Sequence, residues 1–410
     1  MSTVKISHPT QKIDVHIQIP GSKSESNRLL ILNALSGNRL KIENLSTARD
    51  TQHLITVLSS TDETVDAIDA GTSMRFLTAY YCATNQHKVI TGSARMKQRP
   101  VSSLVTALNE MGFDVRYKAK NGFLPIEINP VKIESISPET SVEGNISSQF
   151  ISALLLIAPF LPKGLKVNFT TELTSRSYIE MTLKILSHFG VKHEWGESSI
   201  SIQHSTLNTQ QSYYVGGDWS SASYWYSIAF LADKTKIFLE GLKNEWTQGD
   251  RVMADWMKRF GVITTFNEQG ALLEKIPTTY PHMMKMNFRD NPDLAQTFAV
   301  MFAAKNIYAT FSGLESLKLK ETDRVTALKQ ELEKLNTRFD FSDMYEFYQL
   351  KGEFKISSEP IKTYDDHRMA MCFAPLALTG SIEIEKPEVV EKSYPDFWND
   401  LEKAGFLISR

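Results

Sequence analysis

The sequence predicts an α/β protein built from six similar units, and two recurring phrases with a regular spacing carry the prediction. The first phrase is a glycine or small polar turn, a few Ser, Asn, Arg or Asp residues, and then a strongly apolar run. It reads GSKSESNRLLILNAL from Gly21, GTSMRFLTAY from Gly71, GNISSQFISALLLIA from Gly144, GDWSSASYWYSIAFLA from Gly217, NPDLAQTFAVMFAA from Asn291 and DHRMAMCFAPLAL from Asp366. The last five copies lie 73, 73, 74 and 75 residues apart, longer than a standard solenoid repeat and long enough for a compact α/β unit.

The second phrase follows each late copy: RPVSSLVTALNEMGFDVRY, SYIEMTLKILSHFGVKHEW, DRVMADWMKRFGVITTF, DRVTALKQELEKLNTRF and SYPDFWNDLEKAGFLIS. Each has a polar start, apolar residues at three-to-four spacing, and a Gly or Asn where left-handed geometry would end a helix. A unit is therefore a capped helix, strands, an amphipathic helix and a further strand.

At 410 residues the chain exceeds the size at which one core keeps growing, so two domains of three units each are expected. The break falls near Gly216 to Trp219. One domain then spans 20–216 and the other combines 1–19 with 217–410, the early strand patterns VKIS and IDVHIQI completing the second. Two chain crossings at a domain boundary suggest a cleft there.

Composition narrows the class. With 42% hydrophobic and 22% charged residues the chain has material for substantial cores. A formal charge of −2 gives no general attraction to polyanions, so nucleic acid is not an expected partner. Cys82 and Cys372, both inside apolar runs, do not suggest a disulfide framework or a zinc site. The first twenty residues lack a secretory apolar segment and ALLLIAPFL is too short to span a bilayer, which makes cytoplasmic residence the expectation.

Basic residues crowd the turns that open the helices: SKSESNR, SMR, ARMKQR, KETDR and DHR, with Lys392 near the end. Cations there work against an isolated helix. Their placement makes sense if helix N-termini and side chains converge on a small anion, with Arg forks suited to carboxylate or phosphate. GSKSESN lacks the Walker A spacing and no GxGxxG follows the first strands, so neither ATP nor a nicotinamide is expected. No compact set of metal ligands is evident.

Taken in order, PGSKSESNR, DAGTSMR, TGSARMKQRP, GNISSQF, GDWSSA, KETDR, DDHRMAM and EKSYPDF resemble the motifs of the 5-enolpyruvylshikimate-3-phosphate synthase family along nearly the whole chain. The resemblance implies two inside-out α/β domains, each of three βαβαββ-type units, in a monomer that needs no organic cofactor. It also implies transfer of the enolpyruvyl group of phosphoenolpyruvate to the 5-hydroxyl of shikimate 3-phosphate, in the interdomain cleft.

By the same resemblance Lys23, Ser24 and Arg28 contact shikimate 3-phosphate, Lys23 also reaching the donor, while Ser147, Ser148, Gln149 and Ser175 orient the phosphorylated ring. Gly71 walls the donor pocket. Arg95, Arg324, Arg368 and Lys392 hold the donor's carboxylate and phosphate, and Lys320 contacts the acceptor. Asp293 is implied as the base at the 5-hydroxyl and Glu321 as acid/base at C3, with Lys23 assisting. Local sequence alone would instead make Asp293 a cap before LAQTFAVMF and Glu321 a charge opening VTALKQELEKL.

Some residues depart from the family pattern. Asp69 replaces an amide, Phe76 follows Arg75 in place of proline, and Ser316 stands where asparagine is usual. The nearest enzymatic alternative, UDP-N-acetylglucosamine enolpyruvyltransferase, carries a reactive cysteine near the position of RMKQR, where this chain has none. A noncatalytic binding homologue would keep the cations but could dispense with Asp293 and Glu321.

Overall fold

The computed structural model describes residues 2–410. Twelve helices lie among them in strict alternation of two kinds. They are α1 (Lys23–Leu35), α2 (Arg49–Ser59), α3 (Gly71–Ala83), α4 (Ser102–Met111), α5 (Ser148–Ile157), α6 (Arg176–His188), α7 (Trp219–Leu231), α8 (Val252–Lys258), α9 (Ala295–Ala304), α10 (Arg324–Lys334), α11 (His367–Phe373) and α12 (Phe397–Lys403).

The odd helices carry the first phrase, and beyond the polar opening of α1 their apolar runs call for burial on nearly every side. Every residue of α7 but Ser220 is buried, as is every residue of α11, and in each case the helix packs against the other odd helices of its group. Even helices show one apolar stripe; in α4 only Leu104, Val105, Ala107, Leu108 and Met111 are buried. The turns closing the five late even helices, at Gly112, Gly190, Gly261, Asn336 and Gly405, all have positive φ.

The chain forms two compact units. One holds Lys23–Ser46 and Asp50–Val215; the other holds the chain up to Ser22, Thr47–Arg49 and Gly216–Arg410. Each has its own core, around α1, α3 and α5 in the former and α7, α9 and α11 in the latter.

Three sheets share one topology, and a fourth repeats its strand order. In the three, the strand before an odd helix pairs in parallel with the strand after it, and two antiparallel strands complete the set, as in Thr64–Asp66, Lys88–Thr91, Ile126–Asn129 and Asp114–Tyr117. The parallel pair with its intervening helix is a βαβ crossover. The N-terminal strands join the unit that holds the C-terminal half: Lys12–Gln18 pairs in parallel with Lys234–Glu240, and Thr3–Ser7 lies between Ile382–Glu385 and Leu407–Ser409. Reciprocally, Ser212–Tyr214 pairs with Lys41–Glu43 in the other unit. The chain segments at 21–22 and 216–217 lie side by side: Gly21 bridges Gly217, and the amide of Ser22 donates to the carbonyl of Gly216. Among the described residues no helix is long and apolar enough to cross a membrane.

The closing glycines are not equivalent. A Cβ on Gly261 (φ +79°) would lie 2.6 Å from the carbonyl oxygen of Ile276, whereas on Gly405 (φ +91°) its nearest neighbour would be the movable ring of His8 at 3.2 Å. Both substitutions to Ala carry the left-handed penalty of about 1 kcal/mol. In denaturant unfolding Gly261→Ala should cost clearly more than Gly405→Ala, and equal losses would show that the backbone around Gly261 yields freely.

Candidate active site

The unit containing α7, α9 and α11 gathers five of the expected residues into one buried ion network. KETDR runs from a 3-10 turn at Glu315–Leu319 into α10, whose first turn Asp323 caps by accepting from the amides of Val325 and Thr326. This places Arg324 at the first helical position with its guanidinium turned inward, 2% exposed. Its Nε donates to Asp366 at 2.6 Å, Nη1 to Asp293 at 2.9 Å and Nη2 to Glu321 at 2.8 Å. Burial alone would lower this guanidinium, but the carboxylates of Asp366, Glu321 and Asp293 outweigh it and hold Arg324 above its ordinary value.

Asp293 sits in a 3-10 turn, Pro292–Leu294, at the head of α9. The cap positions of this turn and of α9 are Asn291 and Leu294; the Asp293 carboxylate faces Arg324 Nη1 at 2.9 Å, Arg368 Nη2 at 2.9 Å and Lys320 Nζ at 3.6 Å. Glu321 is likewise not a cap, since Asp323 fills that position. Burial lowers the Lys320 ammonium from its usual value, against the pull of Asp293. Asp366 caps α11 through the amide of Arg368 while pairing with Arg324. Lys392, 1% exposed, ends the segment Pro387–Lys392 that packs on α11.

In the other unit the expected residues fall into smaller groups. Lys23 Nζ lies 3.3 Å from Asp50 Oδ2. Arg28 is buried and donates to Thr182 Oγ1, Ser152 Oγ and the carbonyls of Ser24 and Tyr178. Burial pushes it down to about 10, which leaves it protonated at neutral pH. Its guanidinium lies over the ring of Phe76, 5.3 Å from the centroid, so the residue standing where proline is usual supplies an aromatic floor.

Ser147 caps α5 by accepting from the amide of Gln149, with Ser148 buried beside it. Gln149 is fixed from both ends: its Oε1 accepts from Arg75 and its Nε2 donates to Thr72. Arg75 also donates to the carbonyl of Gly71, tying the heads of α3 and α5 together. A Cβ on Gly71 would meet the Arg99 guanidinium at 2.4 Å, so a side chain at this helix start would displace that group. Ser175 opens α6 at φ +55°, a strained position for serine, and Arg95 reaches Gln98 in an exposed turn.

The sequence motifs give no role to Asp250, which reads there only as the polar start of a helix. In the structure it is 5% exposed and accepts from Ser220 and Asn291 next to Asp293 and Arg368. Burial, reinforced by the charge of Asp293, pushes its carboxyl up to about 6. The DRV shared by DRVMADW and DRVTALK is the one signal that could have drawn attention to it.

A raised carboxyl binds more protons when folded, so its stabilising effect is present at low pH and is lost as pH rises through about 6. Asp250→Asn cannot ionise. Its unfolding midpoint relative to the parent should be more favourable at about pH 7.5 than at about pH 5. A difference that is flat with pH would place the Asp250 carboxyl in the ordinary range.

With the geometry in place, comparison with known proteins is informative. The family model of EPSP synthase (3-phosphoshikimate 1-carboxyvinyltransferase) matches residues 7–67 and 59–401. A 3-phosphoshikimate 1-carboxyvinyltransferase of Bacteroides fragilis is 44% identical over 410 residues, covering 98% of each chain, and one of Haemophilus influenzae is 33% identical, covering 96% of this chain and 97% of its own. In fold the chain is similar to the EPSP synthase of Acinetobacter baumannii (TM-score 0.76, 18% identity, all of both chains). It is similar also to the enolpyruvyl transferase NikO of Streptomyces tendae (TM-score 0.74, 14% identity, 100% of this chain and 98% of that one). The full-length match in sequence, on a chain folded in this way, shows that it belongs to the EPSP synthase family.

Proposed function

We propose that Asp293, with Arg324, Arg368 and Lys320 around its carboxylate, carries the central proton and charge steps of this family's reaction. The enzyme transfers the enolpyruvyl group of phosphoenolpyruvate to shikimate 3-phosphate. The observation that carries the proposal is the carboxylate held by three cations in one buried network.

The chemistry needs both signs of charge at one place. As the acceptor's 5-hydroxyl oxygen bonds to C2 of the donor, its proton must leave and C3 must gain one, giving a tetrahedral intermediate. C3 then loses a proton as the bond from C2 to the phosphate oxygen breaks, releasing phosphate. Asp293 takes the hydroxyl proton. Glu321, 2.8 Å from Arg324, serves C3. Two of the cations that neutralise Asp293, Arg324 and Arg368, engage the donor's carboxylate and phosphate, and sharing them with the donor leaves the carboxylate better able to accept a proton. Lys392 joins Arg324 and Arg368 in holding the donor, and preorganised cations in a dry site stabilise developing charge most effectively.

Lys23, Ser24, Arg28, Ser147, Ser148, Gln149 and Ser175 recognise shikimate 3-phosphate, Arg95 and Gly71 the donor. The hydrogen bonds from Arg75 and Thr72 support the assignment of Gln149, since they fix its amide. We take the enzyme to act as a cytoplasmic monomer on these two small anions, without nucleic acid, metal or organic cofactor, on the grounds of its near-neutral charge and its motifs.

The test separates the two proton sites. Asp293→Asn should bind shikimate 3-phosphate within a few fold of the parent yet lose about 10²–10⁴ in turnover. Glu321→Gln should lose exchange of the C3 hydrogens with solvent along with product formation. Turnover near the parent level in folded Asp293→Asn would rule out the base assignment, and undiminished C3 exchange in Glu321→Gln would rule out the other.

A further inference from the structure

Asp250 lies outside every role assigned above, yet it is wired to both ends of the Arg368–Asp293 pair. Its Oδ2 accepts from the hydroxyl of Ser220 at 2.5 Å. The oxygen of Ser220 accepts in turn from Arg368 Nη2 at 3.3 Å, and the same nitrogen donates to Asp293 Oδ2 at 2.9 Å. On the other side Asn291, two residues before Asp293, donates its Nδ2 to Asp250 Oδ1 at 3.3 Å. The path from Asp250 through Ser220, Arg368 and Asp293 thus closes on itself through the turn 291–293.

We propose that Asp250 is a positioning residue for donor binding: it fixes the Ser220 hydroxyl so that the oxygen faces Arg368, and it anchors the turn that carries Asp293. The inference rests on the reading that Arg368 holds phosphoenolpyruvate. A serine hydroxyl has one proton, and committing it to Asp250 leaves only lone pairs to meet the guanidinium. Without that acceptor the hydroxyl turns freely, and Arg368 loses a partner that fixes the plane of its fork. A planar cation recognises carboxylate or phosphate through paired bonds, so an error in its plane weakens donor binding first.

A purely architectural role fits the observations less well. The neighbouring cation, Arg251, is turned away to Asn244 and Asp255, leaving Asp250 beside Asp293 and Arg368. Burial and the charge of Asp293 both disfavour its ionised form, so the carboxylate works against folding at neutral pH. Buried groups held in such surroundings concentrate at functional sites.

Steady-state kinetics on Asp250→Asn, Ser220→Ala and the double variant, with Arg368→Lys as reference and unfolding midpoints alongside, test this. Asp250→Asn and Ser220→Ala should each raise KM for phosphoenolpyruvate about tenfold, keep kcat within about threefold, and leave KM for shikimate 3-phosphate within about twofold. The double variant should be no worse than about the weaker single one, because both changes cut the same path. The proposal is overturned if Arg368→Lys raises the donor KM and Asp250→Asn does not, if both substrates' KM values rise together with a fall in stability, or if the two single effects multiply. Should Arg368→Lys itself leave the donor KM unchanged, the assignment of Arg368 and this inference fall together.

Discussion

Arg324 is the interaction on which the C-terminal unit's site depends. One guanidinium, almost sealed from solvent, holds Asp293, Glu321 and Asp366, which come from three different helix starts. Removing one side of such a buried network leaves uncompensated charge and typically costs about 3–5 kcal/mol. The network therefore brings the heads of α9, α10 and α11 to one point, and it keeps two carboxylates with proposed proton roles beside the cations proposed to hold the donor.

That arrangement also limits the apo enzyme. Four carboxylates, Asp250, Asp293, Glu321 and Asp366, face three cations, Lys320, Arg324 and Arg368, so these seven side chains sum to −1 when all are ionised. Under the proposed donor binding, an anionic donor shares cations already engaged by protein carboxylates. The positive charge of these side chains is held in internal pairs, and the proposal has those pairs exchanged for substrate.

Much of this was legible in the sequence because it rests on local chemistry. The polar starts of the repeated phrases become the caps Ser147, Asp218, Asp323 and Asp366, and the Gly and Asn residues after the amphipathic runs adopt the left-handed geometry that ends a helix. The alternation of wholly buried and half-buried helices follows from composition of the runs alone. Asp250 and Phe76 were not legible in this way. Asp250 looks like any helix-opening acid until folding sets it against Ser220 and Asn291, and Phe76 looks like a core residue until α1 and α3 bring it under Arg28. Both roles are created by contacts across helices, which no single run of sequence encodes.

The central claim is that Arg324 and Arg368, now paired with Asp293, are together with Lys392 the donor's binding groups. The most direct measurement is a structure of the enzyme with shikimate 3-phosphate and a nonreacting analogue of phosphoenolpyruvate. The account requires the analogue's phosphate and carboxylate on the nitrogens of Arg324, Arg368 and Lys392, with the Asp293 carboxylate within hydrogen-bonding distance of the 5-hydroxyl. A donor analogue lodged elsewhere, with the Arg324 and Arg368 pairs to Asp293 unchanged, would contradict it.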